Sequence, residues 1–261
     1  MMTTIYLQGG DSRFDLLGER ALQSGFRVYK KMPENMEKSA IFIFDPREKI
    51  KNILTIMKKA AAGSVFLMWK TDPQILALAK EKRFIVKGFS EDENYLSKNA
   101  VETAEGVLAN VIEKTDRCLS ELCILIYGYG NCGKEIAKLL WLCGCEVFIW
   151  SREKGCKRAL DDGFNVYPAP NKGLFMFDGI VNTVPENIFP PSFLFTMRPK
   201  THFFQVASGN SGISEKFLEE IGVFYHDLHG LPGKFSPATE ADALWEIFKK
   251  ALSEEKERKP I

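Results

Sequence analysis

The run Ile124-Leu125-Ile126-Tyr127-Gly128-Tyr129-Gly130-Asn131-Cys132-Gly133-Lys134 decides how this chain is read. Four consecutive apolar residues predict a buried strand. Ile136, Leu139, Leu140 and Cys143 then recur at helical spacing, so the three glycines sit in a strand-to-helix turn. That context gives a G-x-G-x-x-G pattern its meaning. Gly128 permits a tight turn, Gly130 lets backbone approach a pyrophosphate, and Gly133 lets helix and strand pack closely. Asn131 and Cys132 open the helix, whose N-terminus faces the phosphates.

Working outward, the next strand, Val147 to Trp150, ends in Ser151-Arg152-Glu153-Lys154. A dinucleotide domain that prefers NAD places an acid here against the ribose hydroxyls. Ser151 instead offers a hydrogen bond, and Arg152, with Lys154 nearby, offers charge for a 2′-phosphate. The expected cofactor is therefore NADP, with NAD less favoured. A register shift of one residue would bring Glu153 onto the ribose and reverse that preference. Asn182-Thr183-Val184-Pro185 and Ala207-Ser208-Gly209 each end a predicted strand, where open α/β sheets bind ligands. Thr183, Val184, Pro185, Ala207 and Ser208 join the expected cofactor contacts, although loop chemistry alone also explains such segments.

The same alternation of apolar runs and helical patterns fills the chain. Strands are predicted at Ile5 to Leu7, Phe26 to Tyr29, Ile41 to Phe44, Val65 to Met68 and Phe84 to Val86. Helices are predicted near Asp11 to Gln23, Ile50 to Ala61 and from Asp72-Pro73 onward. The polar stretch Gly88 to Asn94 breaks the pattern, and a helix with apolar positions from Val101 to Ile112 follows over Asn99 to Thr115. The later strands lie at Ile124 to Tyr127, Val147 to Trp150, Gly179 to Asn182, His202 to Val206 and Val223 to Tyr225. A last helix, Glu240 to Leu252, aligns Ala243, Leu244, Ile247, Phe248 and Ala251. The order predicts α/β architecture with two doubly wound domains. One is a Rossmann-type NAD(P)-binding domain over residues 99–237. The other is a smaller flavodoxin-like domain over residues 1–98, closed by the C-terminal helix within 238–261.

Composition narrows the function classes. Lys and Arg total 35 against 34 for Asp and Glu, a net charge of +1 that gives no electrostatic case for nucleic-acid binding. No apolar run approaches the roughly 18 residues of a membrane span. Six cysteines in 261 residues do not make a disulfide scaffold, and a reducing cytoplasm is the natural setting. Cys143 and Cys145 lack the paired spacing of a zinc site and are expected in the core, so no metal is expected. The 20 Phe residues leave room for a homo-oligomeric interface.

Gly9-Gly10-Asp11-Ser12-Arg13, Thr103-Ala104-Glu105-Gly106, the glycine loop, Asn182 to Pro185, and Gly230-Leu231-Pro232-Gly233-Lys234 with Pro237 occur in an order that resembles the first of the two dipicolinate synthase subunits. The resemblance covers nearly the whole chain. It implies kinship in architecture with two-domain 2-hydroxyacid dehydrogenases. It also implies NADP-dependent oxidation of a dihydro or hydroxytetrahydro precursor to dipicolinate during sporulation, with the second, flavoprotein-like subunit of dipicolinate synthase as partner. The chain departs from the family where Thr239-Glu240-Ala241 replaces Thr-Ala-Gly, and in a shorter region between the second strand and Val65.

A small dicarboxylate substrate needs cationic or backbone donors. The expected substrate contacts are Asp11, Arg13, Thr103, Leu231, Pro232, Gly233 and Lys234, with the substrate between the domains. Asp11 either holds Arg13 or caps the following helix. Thr103 and Glu105, two apart on a helix, point in different directions. The catalytic base is not fixed by the sequence: His226 and His229, flanking the end of the last predicted strand, and Glu105 are the candidates. The alternative readings are a dehydrogenase acting on another small carboxylate and a nucleotide-binding protein without turnover of its own.

Overall fold

Runs such as Ile41-Phe42-Ile43-Phe44 and Val65-Phe66-Leu67-Met68 have no polar face, so they are strands only where both faces are covered. The computed structural model describes residues 3–32, 36, 38–168, 173–186, 191–208 and 213–258. The chain divides into two compact units, Met1–Lys98 with Ser236–Ile261, and Asn99–Phe235.

The first unit contains β1 (Thr4–Gln8), α1 (Ser12–Gln23), β2 (Arg27–Tyr29), β3 (Ile41–Phe44), α2 (Ile50–Lys59), β4 (Val65–Met68), α3 (Pro73–Lys82) and β5 (Ile85–Gly88). Among the described residues these strands form a parallel five-stranded sheet in the order β2-β1-β3-β4-β5, the flavodoxin-like arrangement. Every residue of β3 and β4 is buried. Phe42 and Phe66 stack at 4.8 Å on one face, while Ile41, Ile43, Val65 and Leu67 fill the other.

A long helix, α4 (Glu93–Lys114), runs across the division into the second unit. It is followed by β6 (Cys123–Tyr127), α5 (Asn131–Leu142), β7 (Glu146–Trp150), α6 (Glu153–Asp161), β8 (Asn165–Val166), β9 (Gly179–Asn182), α7 (Pro191–Leu194), β10 (His202–Gln205), α8 (Glu215–Glu220), β11 (Phe224–Asp227) and α9 (Leu231–Phe235). The described strands make a parallel six-stranded sheet, β11-β10-β9-β6-β7-β8. The topological switch therefore lies at β6, beside the glycine loop.

The chain then returns to the first unit as α10 (Pro237–Arg258), with Pro at the first helical position. Ala243, Leu244, Ile247, Phe248 and Ala251 are buried against the β1–β3 face, as the apolar stripe predicts. Several elements differ from those the sequence predicts, α10 among them, which runs from Pro237 to Arg258 rather than from Glu240 to Leu252. Helix α4 begins at Glu93 because Asp92 accepts the Tyr95 amide at 2.9 Å, a cap hidden in the polar stretch. β11 ends at Asp227, beyond the predicted Tyr225. β8 has two residues, too few for a periodic signal, and is held by pairing with Phe148 and Ile149.

Phe248 is fully buried, 5.3 Å edge-on from Phe26 and 4.5 Å from Trp245. Phe248→Ala is expected to cost about 3 to 5 kcal/mol. A loss of under about 1 kcal/mol in urea denaturation would show that α10 does not close the first sheet.

Candidate functional site

Directly after β6, Gly128 has φ +104°, a left-handed conformation that glycine adopts without strain. A Cβ there would lie 2.4 Å from Thr183 Oγ1, and one on Gly133 would lie 2.2 Å from Gly128 O. Close packing of helix on turn thus requires both glycines. Gly130 differs: no atom lies within 4 Å of the position its Cβ would take, and its φ of −87° suits any residue. Nothing in the protein's own packing demands glycine at 130. The open space lies at the N-cap of α5, where no side chain caps the helix and the amides of Asn131 and Cys132 begin the first turn.

The loop is braced from beneath. Tyr129 is buried and donates to Asp162 Oδ2 at 2.8 Å, Lys134 pairs with the same oxygen at 2.8 Å, and Arg158 donates to Tyr129 O at 2.8 Å. Lys134, then Tyr129, holds the Asp162 carboxyl below its ordinary range, while burial pushes the Tyr129 phenol up. Cys132 contacts the Thr103 hydroxyl, which donates to Asn99 O at 2.7 Å; burial raises the Cys132 thiol and Thr103 partly opposes this. Thr103 is buried and Glu105 exposed, the divergence that their spacing requires.

At the end of β7, Ser151 lies against α6, where a Cβ on Gly155 would fall 2.1 Å from its hydroxyl. Arg152 is mostly exposed and pairs with Glu186, and Lys154 is exposed. Because β6 lies between β7 and β9, this ion pair spans the carboxyl end of β6 above the glycine loop. Glu186 carries no sequence signal of its own. No local pattern links it to Arg152, 34 residues earlier.

Beyond β9 and β10 runs a chain of hydrogen bonds. Asn182, fully buried, accepts the Val184 amide at 3.1 Å and donates to Gln205 at 2.9 Å, and Gln205 donates to Ala207 O at 2.9 Å. Thr183 donates from both amide and hydroxyl to Tyr127 O. His229 Nε2 lies 2.8 Å from Ala207 O, and its Nδ1 contacts Asp227. Both ring nitrogens thus face acceptors. Pro185 and Ser208 are exposed; Gly209 lies outside the described residues.

The structure separates the two histidines. His229 stands past the carboxyl end of β11, on the edge that carries the glycine loop. His226 lies within β11, bonded to His202 at 3.0 Å and stacked on Phe204. Burial, then His202 and Lys114, pushes His226 down to about 4. Leu231, Pro232 and Gly233 are buried in α9, Leu231 against Gly106, and Lys234 is exposed. Cys145 is buried, and burial lifts its thiol to about 11; Cys143 is half-buried.

In the first unit, Arg13 is 3% exposed and ringed by carboxylates. It reaches Asp11 at 2.9 Å, Glu240 at 3.3 Å and Asp45 at 3.6 Å. Asp11 occupies the N-cap position of α1 but caps with no side-chain bond, so of its two expected roles it takes that of holding Arg13. Glu240 is fully buried and also accepts the Tyr95 hydroxyl at 2.5 Å. Asp45 in turn pairs with Arg47 at 2.8 Å. Burial would raise Asp45, but Arg47 and then Arg13 hold it below the usual carboxylate range. Glu240, the residue that departs from the family pattern, thus supplies a buried counter-charge to Arg13. Asp45 carried no motif signal, and Glu240 stood out in the sequence only as a departure within Thr239-Glu240-Ala241.

No family model matches the chain. A 179-residue segment is 28% identical to the first dipicolinate synthase subunit of Bacillus subtilis (strain 168), covering 67% of this chain and 60% of that relative. The fold is similar to the crystal structure of the corresponding dipicolinate synthase subunit from Bacillus halodurans, with TM-score 0.79, 19% identity and coverage of 99% of this chain and 98% of that one. It is also similar to a D-isomer specific 2-hydroxyacid dehydrogenase from Lactobacillus delbrueckii ssp. bulgaricus in its NAD-complexed form, with TM-score 0.58, 9% identity and 99% of each chain covered. The resemblance to dipicolinate synthase read from the motifs is thus borne out in sequence and fold. No helix among the described residues is long and apolar enough to cross a membrane.

Removing the guanidinium takes the cation away from the buried Glu240 carboxyl. Arg13→Met is therefore expected to destabilise the chain by about 3 to 5 kcal/mol in chemical denaturation. A change under about 1 kcal/mol would mean that the buried pair is not formed.

Proposed function

We infer that this chain, which resembles the first dipicolinate synthase subunit in sequence and fold, is a nicotinamide-dinucleotide-dependent oxidoreductase. Its substrate on this reading is a dihydro or hydroxytetrahydro derivative of dipicolinate, and NADP is preferred over NAD. One observation carries the cofactor assignment. A left-handed Gly128 and a close-packed Gly133 hold the uncapped N-terminus of α5 beside open space at Gly130, at the switch point of a parallel sheet.

Gly128, Gly130, Asn131, Cys132 and Gly133 are assigned to the pyrophosphate. Ser151, Arg152 and Lys154 are assigned to the 2′-phosphate, and Thr183, Val184, Pro185, Ala207 and Ser208 to the nicotinamide half. The bound cofactor supplies a two-electron acceptor. The chain must align the ring to be oxidised and take up one proton. His229 is our choice of base, since it stands on the sheet edge of the glycine loop; to receive a proton, Nε2 must exchange Ala207 O for the substrate. Bonded to His202 within its strand, His226 is set aside, and so is the exposed Glu105.

Because three carboxylates neutralise Arg13, we assign it to fixing the turn after β1, with Asp11 as its holder. Thr103, Leu231, Pro232 and Gly233 shape the surroundings, and the exposed Lys234 is the cation left for the dicarboxylate. The family resemblance extends the reading to sporulation, a cytoplasmic setting and the flavoprotein-like second subunit as partner.

The 2′-phosphate must displace Glu186 from Arg152, whereas NAD has no such group. NADP is expected to bind at least about tenfold more tightly than NAD. An exposed ion pair contributes under about 1 kcal/mol, so Glu186→Gln is expected to tighten NADP by roughly two- to fivefold and leave NAD unchanged. Calorimetric titration checks both, and a clear NAD preference contradicts the assignment. Freshly generated dihydrodipicolinate is expected to yield reduced cofactor, followed by absorbance with and without the flavoprotein-like partner. No signal in either case, despite NADP binding, would favour a non-catalytic role.

A further inference from the structure

We propose that the second unit has another binding site, at the sheet edge opposite the glycine loop, for a small dianion such as phosphate or a short dicarboxylate. The amino ends of β6, β9, β10 and β11 surround a cavity of about 430 Å³. That volume falls in the range of small-molecule pockets. The five residues of β6 separate this edge from Gly128, roughly 16 Å at strand rise.

The lining is cationic. Lys114, Arg117, Arg198 and Lys200 face Asp116 and Asp178, an excess of two positive charges. Asp178 is fully engaged: one oxygen takes Arg198, and the other accepts the Cys123 amide at 2.9 Å. Lys114 pairs with Glu113 at 2.9 Å. Among the described residues, Arg117 and Lys200 make no ion pair, and Asp116 is the one acid of the lining that is also unpaired, so the cavity keeps a net positive charge. Lys200 is also set in place. Its φ of +70° is uncommon outside glycine, and its amide donates to Gly222 O at 2.7 Å.

The remaining wall suits a ligand with carbon as well as charge. Phe224 is 48% exposed although it opens a sheet strand, and its ring lies 5.1 Å from that of His202. His202 Nδ1 bonds His226 Nε2 at 3.0 Å. Of the two tautomeric arrangements of this bond, an anion selects the one that leaves a proton on His202 Nε2. The site shares no residue with the glycine loop, so it stands whether or not the dinucleotide assignment holds.

The chain has three histidines, which makes imidazole resonances a direct reporter. The full chain is titrated with inorganic phosphate and, separately, with malonate, at fixed pH and with ionic strength held constant by sodium chloride. At least one anion is expected to give saturable shifts at His202 and His226 with His229 unmoved. Phosphate alone would identify a phosphate site, malonate alone a dicarboxylate site, and both a site for either. In the Arg117→Ala/Lys200→Ala double variant, binding is expected to weaken roughly tenfold or more with an unchanged melting temperature. Non-saturating shifts with both anions, shifts confined to His229, or equal affinity in the double variant would each overturn the proposal.

Discussion

The contact on which the second unit turns is the approach of α5 to the end of β6. Gly133 meets the carbonyl of Gly128 so closely that a methyl group would stand 2.2 Å from it. This closeness puts the first turn of α5 on the switch point of the sheet. The backbone amides there and the helix dipole then form a ready site for negative charge. Tyr129, wedged under the loop and bonded to Asp162, together with Lys134 on the same carboxylate, keeps the turn from relaxing. Around it, the ends of β7, β9 and β10 contribute an arginine, a threonine turn and a buried Asn182-Gln205 pair.

The first unit solves the equivalent position differently. Its sheet also reverses order between β1 and β3, and it also has two glycines after the first strand. There, Arg13, Asp11, Asp45, Glu240 and Tyr95 interlock, so the guanidinium is taken up by the chain's own carboxylates. Buried ion pairs do more to fix geometry than to add stability, because desolvation offsets most of their attraction. The cluster is therefore best understood as holding the turn after β1 and the start of α10 in one arrangement. Two doubly wound sheets in one chain thus use their switch points in different ways, one filled and one open.

Most of the architecture was legible in the sequence because strands buried on both faces read as unbroken apolar runs, and β3, β4 and β6 are of that kind. The glycine loop was equally legible, since strand, turn and helix each leave a local mark. What stayed hidden depends on pairs remote in the chain. The partnership of Arg13 with Glu240 crosses 227 positions, and that of Arg152 with Glu186 crosses 34. His226 and His229, three residues apart, looked equivalent until β11 extended to Asp227 and placed one inside the strand. Asp92 looked like loop because the cap it forms resembles any polar residue.

The central claim is that the space at Gly130 belongs to a dinucleotide, whereas Gly133 serves the fold. Comparing Gly130→Ala with Gly133→Ala, in stability by urea denaturation and in NADP affinity by titration, tests this most directly. Gly133→Ala is expected to destabilise the chain by about 2 kcal/mol, because backbone must move. Gly130→Ala is expected to leave stability within about 0.5 kcal/mol and to weaken NADP at least roughly tenfold, since the added methyl occupies the phosphate's approach. A Gly130→Ala variant that binds NADP as well as the parent chain would contradict the account.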